Sequence, residues 1–384
     1  MSRLFFMPPV TITGGESLTG NADRIILGKK ALIVTGKTVV KQDCTKELIK
    51  TLEDKNVGYS IFTGITGEPT DVMIKEGAKA YTDNDCDFII AIGGGSPMDS
   101  MKAIAVLLKY PQNELKDFMG KEIEGPFVPM VAIPTTAGTG SEVTMFTVIT
   151  DTKTEVKMLL KGAALIPDVA VVDPLFSMSS PKSVTANTGL DALTHAIEAY
   201  TSKKALPLTD TLAVSAVKRI MKYLPIAYES GSDEKARQEM ALAAYEAGVC
   251  ITNSSVTLVH GMSRPIGALF HVPHGLSNAM LLPTCLEFVA DGIYSKFADL
   301  GRATGAADKE VSDETAAKLF IKKVRELCEF CNVPTLAAYG IDKDEFMKRA
   351  EKMAADAVTS GSPGNTVKEV TQQDCIEIYK KLWN

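Results

Sequence analysis

Several features that define special classes of protein are scarce or missing in this 384-residue sequence. The net charge is −6 and there is no basic run, so nothing suggests nucleic acid as a partner. No apolar run approaches the roughly 20 residues that span a bilayer, so we expect no membrane contact. Residues 1–9 contain too short an apolar stretch for a signal peptide, and we therefore expect a cytoplasmic protein.

The sequence also lacks the cysteine pattern of a disulfide-bonded protein. Its seven cysteines are odd in number and scattered, which is typical of reduced thiols. Cys328 and Cys331 form a single C-x-x-C inside a helical pattern. A structural zinc site needs a second pair of ligands, and no nearby histidine or cysteine supplies it.

The first half of the sequence alternates short apolar runs with amphipathic helical patterns. We predict strands over residues 30–35, 59–62, 88–92, 130–133 and 169–172. Buried strands separated by helices are typical of a doubly wound parallel sheet. Beyond Pro174, long alanine-rich helical patterns follow one another with hardly a strand. We therefore predict an α/β plus all-α chain, with a Rossmann-like dinucleotide-binding domain over residues 1–178 and an all-helical metal-binding domain over residues 179–384.

A glycine turn, Gly93-Gly94-Gly95, lies between a predicted strand and a predicted helix. Glycines let backbone N–H groups approach a phosphate, and the following helix N-terminus adds partial positive charge. The turn is neither the G-x-G-x-x-G fingerprint nor a Walker loop, and a plain tight connection is the alternative. Three consecutive glycines after a buried strand favour the phosphate site.

A second loop of small residues, residues 134–142, follows another predicted strand. Its hydroxyl and amide groups suit contacts with ribose, pyrophosphate or the nicotinamide amide. The loop follows the carboxyl end of a parallel strand, where doubly wound sheets bind ligands. The two loops together indicate a dinucleotide site.

Histidine is rare, and all four histidines lie between residues 195 and 274. Asp191 and His195 are spaced i, i+4 and so share one face of a helix. His260 follows, and spacing alone allows either His271 or His274 as a further ligand. Carboxylate and imidazole ligands suit a divalent ion such as Fe²⁺ or Zn²⁺. A hydrogen-bonded structural Asp–His pair is the alternative, but the clustering favours a metal site.

These segments resemble the iron-containing, or group III, alcohol dehydrogenase family. The resemblance rests on GGGSPMDSMK (93–102), IPTTAGTGSEVT (133–144), TGLDALTHAIEAY (188–200) and HGMSRPIGALFHVPHGLSNAMLLP (260–283). It implies a dehydroquinate synthase-like fold and a metal-dependent enzyme that transfers hydride between NAD(P)H and a small aldehyde or alcohol. A homodimer or larger homo-oligomer is implied as well.

The resemblance also implies roles for individual residues. The implied metal ligands are Asp191, His195, His260 and His274, so that His274 is chosen over His271. The implied NAD or NADP contacts are Gly94, Gly95, Ser96, Asp99, Thr135, Thr136, Thr139 and Lys157.

Two departures from the family pattern concern the cofactor. Many relatives carry an aspartate after the first strand, which repels a 2′-phosphate, whereas this chain has Gly36 followed by Lys37. We therefore expect NADP(H) to be accepted, and Gly36 and Lys37 to contact it. Glu68 stands where relatives often have asparagine, and a carboxylate there would partly restore the preference for NAD.

A third departure concerns the substrate. Arg264 stands where several relatives carry a histidine that faces the substrate. Arginine cannot relay a proton at working pH, but its planar fork binds anions. We therefore predict a substrate with an anionic group, such as an ω-hydroxy acid or a sulfo- or phosphonoaldehyde, and leave the proton relay to His271. The alternatives are that Arg264 pairs with a surface carboxylate and that the substrate is a neutral short-chain alcohol or diol.

Two other functions are compatible with a metal cluster alone. A metal-dependent lyase or hydrolase would use the same ligands to activate water, as dehydroquinate synthase illustrates at the level of the fold. A non-enzymatic nucleotide-binding module is the second rival, but it would not explain four converging ligands. The glycine turn and the second loop (residues 134–142, called the threonine loop below) favour an oxidoreductase over the hydrolase.

Overall fold

The computed structural model describes residues 2–383 and contains two compact units, one ending at Ser180 and the other beginning at Pro181. The first unit is built on a six-stranded sheet in which all neighbouring strands run parallel, with the order β1-β8-β5-β4-β2-β3. Its strands are β1 (Val10–Thr13), β2 (Lys30–Val34), β3 (Gly58–Phe62), β4 (Phe88–Gly93), β5 (Met130–Pro134) and β8 (Val169–Val172), while β6 (Phe146–Thr150) and β7 (Lys157–Lys161) form a separate antiparallel hairpin. The helices are α1 (Ala22–Ile25), α2 (Asp43–Asp54), α3 (Asp71–Asp83) and α4 (Gly95–Lys109).

Both faces of the parallel sheet are buried, which explains why its strands read as continuous apolar runs. Side chains alternate along each strand, so Leu32 and Ile89 join a core that includes Ile104 of α4. Ile33 and Ile90 point the other way and pack with Leu48 of α2. The doubly wound fold predicted from the sequence is confirmed. Strand β1 and the β6–β7 hairpin were not predicted, because their short runs lack a distinctive pattern.

A buried lysine attaches the segment after β5 to helix α4. Lys102 is fully buried, and its ammonium group donates to the carbonyl oxygens of Thr144 (2.8 Å) and Phe146 (2.9 Å). It also donates to the hydroxyls of Thr144 (3.0 Å) and Ser141 (3.2 Å). The amine therefore holds both the end of the threonine loop and the start of the hairpin.

Two acidic residues share the environment of Lys102. Burial lowers the pKa of the Lys102 ammonium to about 8, although the negative charges of Asp99 and Glu142 oppose this shift. Burial raises the pKa of Glu142 to about 7, against the attraction of Lys102. The lysine therefore compensates charge in the interior as well as holding the backbone.

The second unit is helical. Its helices are α5 (Lys182–Thr201), α6 (Pro207–Glu229), α7 (Glu234–Ser254), α8 (Leu258–Phe270), α9 (His274–Val289), α10 (Tyr294–Ala303), α11 (Asp313–Phe330), α12 (Leu336–Tyr339), α13 (Lys343–Thr359) and α14 (Gln372–Lys381). Helix α5 packs against α6, α7 and α9, so its middle is buried all round. Among residues 2–383, no helix is both long enough and apolar enough to cross a membrane.

We predict that Lys102→Met lowers the free energy of unfolding by about 3 kcal/mol, because removing one member of a buried charged network leaves the others uncompensated. Urea denaturation measures this change. Lys109→Met, at the C-terminal end of the same helix, is the control and is expected to change stability little, since Lys109 is only partly buried. Equal stability of the Lys102 variant and the native protein would contradict this account.

Candidate active site

Four side chains from three helices of the second unit converge on one point. Asp191 and His195 lie one turn apart on α5, His260 lies on α8, and His274 is the first residue of α9. One potential ligand atom from each of the four lies within 4.8 Å of the other three. The Asp191 Oδ1 atom is 3.9 Å from His195 Nε2, 3.6 Å from His260 Nε2 and 3.7 Å from His274 Nε2. These are the four residues that the family resemblance implied.

A glycine allows α9 to approach α5 closely enough to form this cluster. An ideal Cβ placed on Gly275 would lie 2.3 Å from the carbonyl oxygen of Asn187. Any side chain at this position would push the start of α9, and with it His274, away from Asp191. Gly275 was not predicted from the sequence.

Glu198 connects α5 to the beginning of α8 and to His260. Its Oε1 accepts hydrogen bonds from the Thr257 hydroxyl (2.9 Å) and the Val259 N–H (2.6 Å), while Oε2 lies 2.6 Å from His260 Nδ1. The carboxylate thus satisfies N–H groups at the N-terminus of α8 that lack partners within the helix, where negative charge is also favourable. With Nδ1 donating to Glu198, the Nε2 lone pair of His260 faces the cluster.

The charges in the cluster influence one another strongly. Burial would raise the pKa of Asp191, but the neighbouring histidines outweigh burial and hold that pKa well below its usual range. Burial would lower the pKa of His260, but Glu198 and Asp191 outweigh it and raise the pKa to about 9. For His274, partial desolvation and the positive charge of His260 lower the pKa, against the opposing effect of the negative charge of Asp191. Positive charge on the neighbouring histidines therefore stabilises the buried carboxylate of Asp191.

A buried amide also faces the cluster. Asn278 lies one turn after His274 on α9, and its Nδ2 donates to Asp191 Oδ1 at 2.7 Å. Neither Asn278 nor Glu198 was predicted from the sequence, although both carried a signal. Asn278 follows His274 at i, i+4, and Glu198 is a carboxylate within an otherwise apolar stretch of helix.

In the first unit, the two loops proposed to bind a dinucleotide lie together. Gly93 has a φ of 150°, which side chains rarely adopt, and α4 begins at Gly95. An ideal Cβ on Gly95 would lie 3.0 Å from Thr139 Cγ2, so the glycine turn touches the threonine loop. Gly94, Gly95 and Ser96 therefore form the first turn of α4 beside the loop that contains Thr135, Thr136 and Thr139.

The structure gives Asp99 partners within the protein. Its carboxylate accepts hydrogen bonds from the Ser141 hydroxyl at 2.5 Å and the Val148 N–H at 2.9 Å, and its carbonyl accepts one from Thr147. Asp99 therefore connects α4 to the threonine loop and to β6.

Lys157 and Glu68 form an ion pair. Lys157 is the first residue of β7, and its Nζ lies 2.8 Å from Glu68 Oε2 and 2.9 Å from Oε1. Gly36 follows β2 directly, where an ideal Cβ would lie 3.4 Å from the Ile65 carbonyl oxygen. Lys37 is exposed, and no carboxylate of the described residues lies within 4.0 Å of its amine.

Arg264 and His271 both lie in the segment that connects the candidate ligands His260 and His274. Arg264 is partly buried on α8, where its Nη1 donates to the Ser362 hydroxyl at 3.1 Å. No carboxylate within residues 2–383 lies within 4.0 Å of the guanidinium, so the structure does not pair it with a surface acid. His271 ends α8 with a left-handed φ of 54° and an exposed side chain, and it is not part of the four-residue cluster.

Comparison with known proteins identifies the family. The model for iron-containing alcohol dehydrogenases matches residues 8–174, and the model for the C-terminal domain of the same family matches residues 185–383. The chain belongs to the iron-containing alcohol dehydrogenase family. It is therefore a metal-dependent, NAD-linked oxidoreductase of alcohols and aldehydes, and the resemblance found in the sequence is confirmed.

Individual relatives span almost the whole chain. The NAD-dependent methanol dehydrogenase of Bacillus methanolicus is 35% identical over 98% of each chain. A solved structure described as 1,3-propanediol oxidoreductase is 33% identical and covers 100% of both chains with a TM-score of 0.96. The sulfoacetaldehyde reductase of Bifidobacterium kashiwanohense in complex with NAD⁺ is 28% identical over 99% of each chain, with a TM-score of 0.87.

The cluster of this alcohol dehydrogenase fits a divalent metal ion. One carboxylate oxygen and three imidazole nitrogens form a donor set suited to Fe²⁺ or Zn²⁺. A carboxylate that orients one of the histidines is the usual support for such a ligand. A cation would also compensate the buried charge of Asp191.

We predict that Glu198→Gln weakens metal binding roughly tenfold to hundredfold, the range observed when groups that orient a ligand are removed. The new amide N–H would face His260 Nδ1, move the imidazole proton to Nε2 and so remove the lone pair facing the cluster. Competition for Zn²⁺ with a chelating dye measures the affinity. Glu246→Gln, which changes a partly buried carboxyl on α7, is the control. Unchanged affinity in Glu198→Gln would refute the role of this carboxylate.

Proposed function

We propose that this alcohol dehydrogenase interconverts a small aldehyde and its alcohol in which the substrate carries an anionic group bound by Arg264. The observation that carries the proposal is a partly buried guanidinium with no carboxylate within 4.0 Å in residues 2–383. Buried charges in proteins are normally paired, so an arginine whose guanidinium donates to a serine hydroxyl and has no carboxylate beside it suits an anionic ligand. A relative whose name specifies sulfoacetaldehyde supports an anionic substrate in this family.

Arg264 also lies within electrostatic range of the proposed metal ligands. Its charge contributes to lowering the pKa of His274, and Glu198 in turn acts on the pKa of Arg264. Arg264 follows His260 by one turn on α8. A short substrate could therefore place its anionic end at Arg264 and its carbonyl oxygen at the cluster.

The proposed roles of the other residues follow from their positions. Asp191, His195, His260 and His274 hold the metal ion. Backbone N–H groups at the start of α4 bind the pyrophosphate, and the hydroxyls of the threonine loop bind the ribose or the nicotinamide. When bound, the ion supplies Lewis acidity to the substrate oxygen, and the dinucleotide supplies or accepts the hydride.

His271 is proposed to pass the proton between the substrate side and water. Its exposed imidazole can exchange protons with solvent directly, and histidine side chains commonly relay protons in enzymes. The helical unit is thus proposed to bind the metal and the α/β unit the dinucleotide. A homodimer or larger assembly stays a prediction from the family resemblance, to be tested by sedimentation.

We predict that Arg264→Ala raises KM for an anionic aldehyde roughly tenfold to hundredfold relative to a neutral aldehyde of similar size. A hydrogen bond to a charged group contributes about 1.5–3 kcal/mol, which corresponds to that range. Steady-state NAD(P)H oxidation by the Fe²⁺- or Zn²⁺-loaded enzyme, with sulfonate, carboxylate and neutral aldehydes, measures the effect.

Arg264→Lys is expected to be intermediate, because it keeps the charge but loses the planar fork. Arg349→Ala removes an exposed arginine of α13 and is the control. If Arg264→Ala changes KM equally for anionic and neutral aldehydes, the anionic substrate is wrong, and a neutral short-chain alcohol or diol takes its place.

We also predict that the enzyme accepts NADPH. Gly36→Asp would introduce a negative charge beside a 2′-phosphate and lower kcat/KM for NADPH roughly tenfold or more, with a smaller effect on NADH. Lys37→Ala is expected to act in the same direction, and Lys41→Ala, in the same segment, serves as its control. If the native enzyme uses NADH alone, Gly36 and Lys37 do not contact a 2′-phosphate.

A further inference from the structure

Asn278 contacts more of the candidate metal cluster than its hydrogen bond to Asp191 alone indicates. Its Nδ2 is 2.7 Å from Asp191 Oδ1, 3.1 Å from His260 Nε2 and 3.3 Å from His274 Nε2. The side chain is fully buried. One amide nitrogen therefore contacts three of the four candidate ligand atoms and lies over the side of the cluster that they define.

The orientation of this amide has a cost. Asn278 Oδ1 is buried and makes no hydrogen bond to any of residues 2–383. An unpaired buried carbonyl costs about 1–3 kcal/mol. An apolar residue of similar shape would avoid that cost, so a function of the NH₂ group explains why an amide occupies this position.

Exposure of the four candidate ligands is very uneven. The side chains of Asp191, His195 and His260 are 3%, 6% and 3% exposed, whereas that of His274 is 43% exposed. Solvent and small molecules therefore reach the cluster beside His274. Asn278 covers the side bounded by Asp191, His260 and His274.

We propose that Asn278 is a positioning residue of the metal site, where its amide fixes the ligating oxygen of Asp191 and closes one side of the cluster. The proposal rests on the ligand set given under the proposed function. Donation to Oδ1 holds the carboxylate in one rotamer, so the ion meets the same oxygen each time it binds. The bulk of the amide keeps water from adding to the ion on that side and confines the open coordination position to the side that substrate can reach.

Two variants separate the hydrogen bond from the bulk. Asn278→Ala removes both, whereas Asn278→Leu removes the donor and keeps a side chain of similar size. The full-length protein is stripped of metal and loaded with Co²⁺, and its affinity is measured by competition with a chelating dye. Visible absorption reports the number of ligands, because Co²⁺ absorbs strongly when four-coordinate and weakly when water molecules are added.

We expect both variants to bind Co²⁺ roughly tenfold to hundredfold more weakly, since both lose the donor to Asp191. Only Asn278→Ala is expected to show weaker visible bands, because only there does water gain access. Ser277→Ala is the matched control on the same helix, since the Ser277 hydroxyl donates to the His274 carbonyl and not to the cluster. It is expected to match the native protein in both measurements.

The proposal would be overturned if Asn278→Ala bound Co²⁺ with the affinity of the native protein and showed the same visible absorption bands. Equally weak bands in the Ala and Leu variants would overturn the role of the bulk, and a comparable loss in Ser277→Ala would reduce the effect to a general disturbance of α9. Asp191→Ala tests the ligand set separately. If that variant binds Co²⁺ as tightly as the native protein, the proposed ligands are wrong, whatever the Asn278 variants show.

Discussion

The carboxylate of Asp191 lies in the interior of the helical unit with three imidazole nitrogens within 3.9 Å of its Oδ1. A charge in such a place is costly unless an opposite charge lies beside it. That negative charge contributes, together with Glu198, to the raised pKa of His260. Helices α5, α8 and α9 therefore pack around a point whose charge balance a divalent ion completes, and the chemistry of the site follows from that balance.

The side chain of Glu198 contributes both to the stability of helix α8 and to the orientation of the candidate ligand His260. The carboxylate satisfies N–H groups at the beginning of α8 and at the same time hydrogen-bonds His260 in that helix. A change that disturbs the imidazole therefore also disturbs the helix that carries it. This arrangement keeps His260 in one orientation without a contribution from a flexible loop, because both partners lie on buried helices.

Sequence patterns predicted the parts of this structure that depend on long, regular repetition. Five of the six parallel strands and the helical second unit were predicted, because strands buried on both faces appear as continuous apolar runs and amphipathic helices repeat a period over many residues. The β6–β7 hairpin was missed because its strands bury alternate residues, whereas the sequences FTVIT and KMLLK do not alternate apolar with polar residues. Spacing left His271 and His274 undecided, and the resemblance chose His274. Gly275 and Asn278 act through contacts between helices, which a linear pattern does not contain.

The uneven burial of the cluster has a consequence for the exchange of metal ions. Three of the proposed ligands are enclosed by helices, whereas His274 begins a helix directly after Pro273 and is open to solvent. Of the four residues that would hold an ion, His274 is therefore the one that solvent and chelators reach first. The lifetime of the loaded enzyme, and the ease with which one metal replaces another in a cell, would then depend on how firmly the first turn of α9 holds a single imidazole.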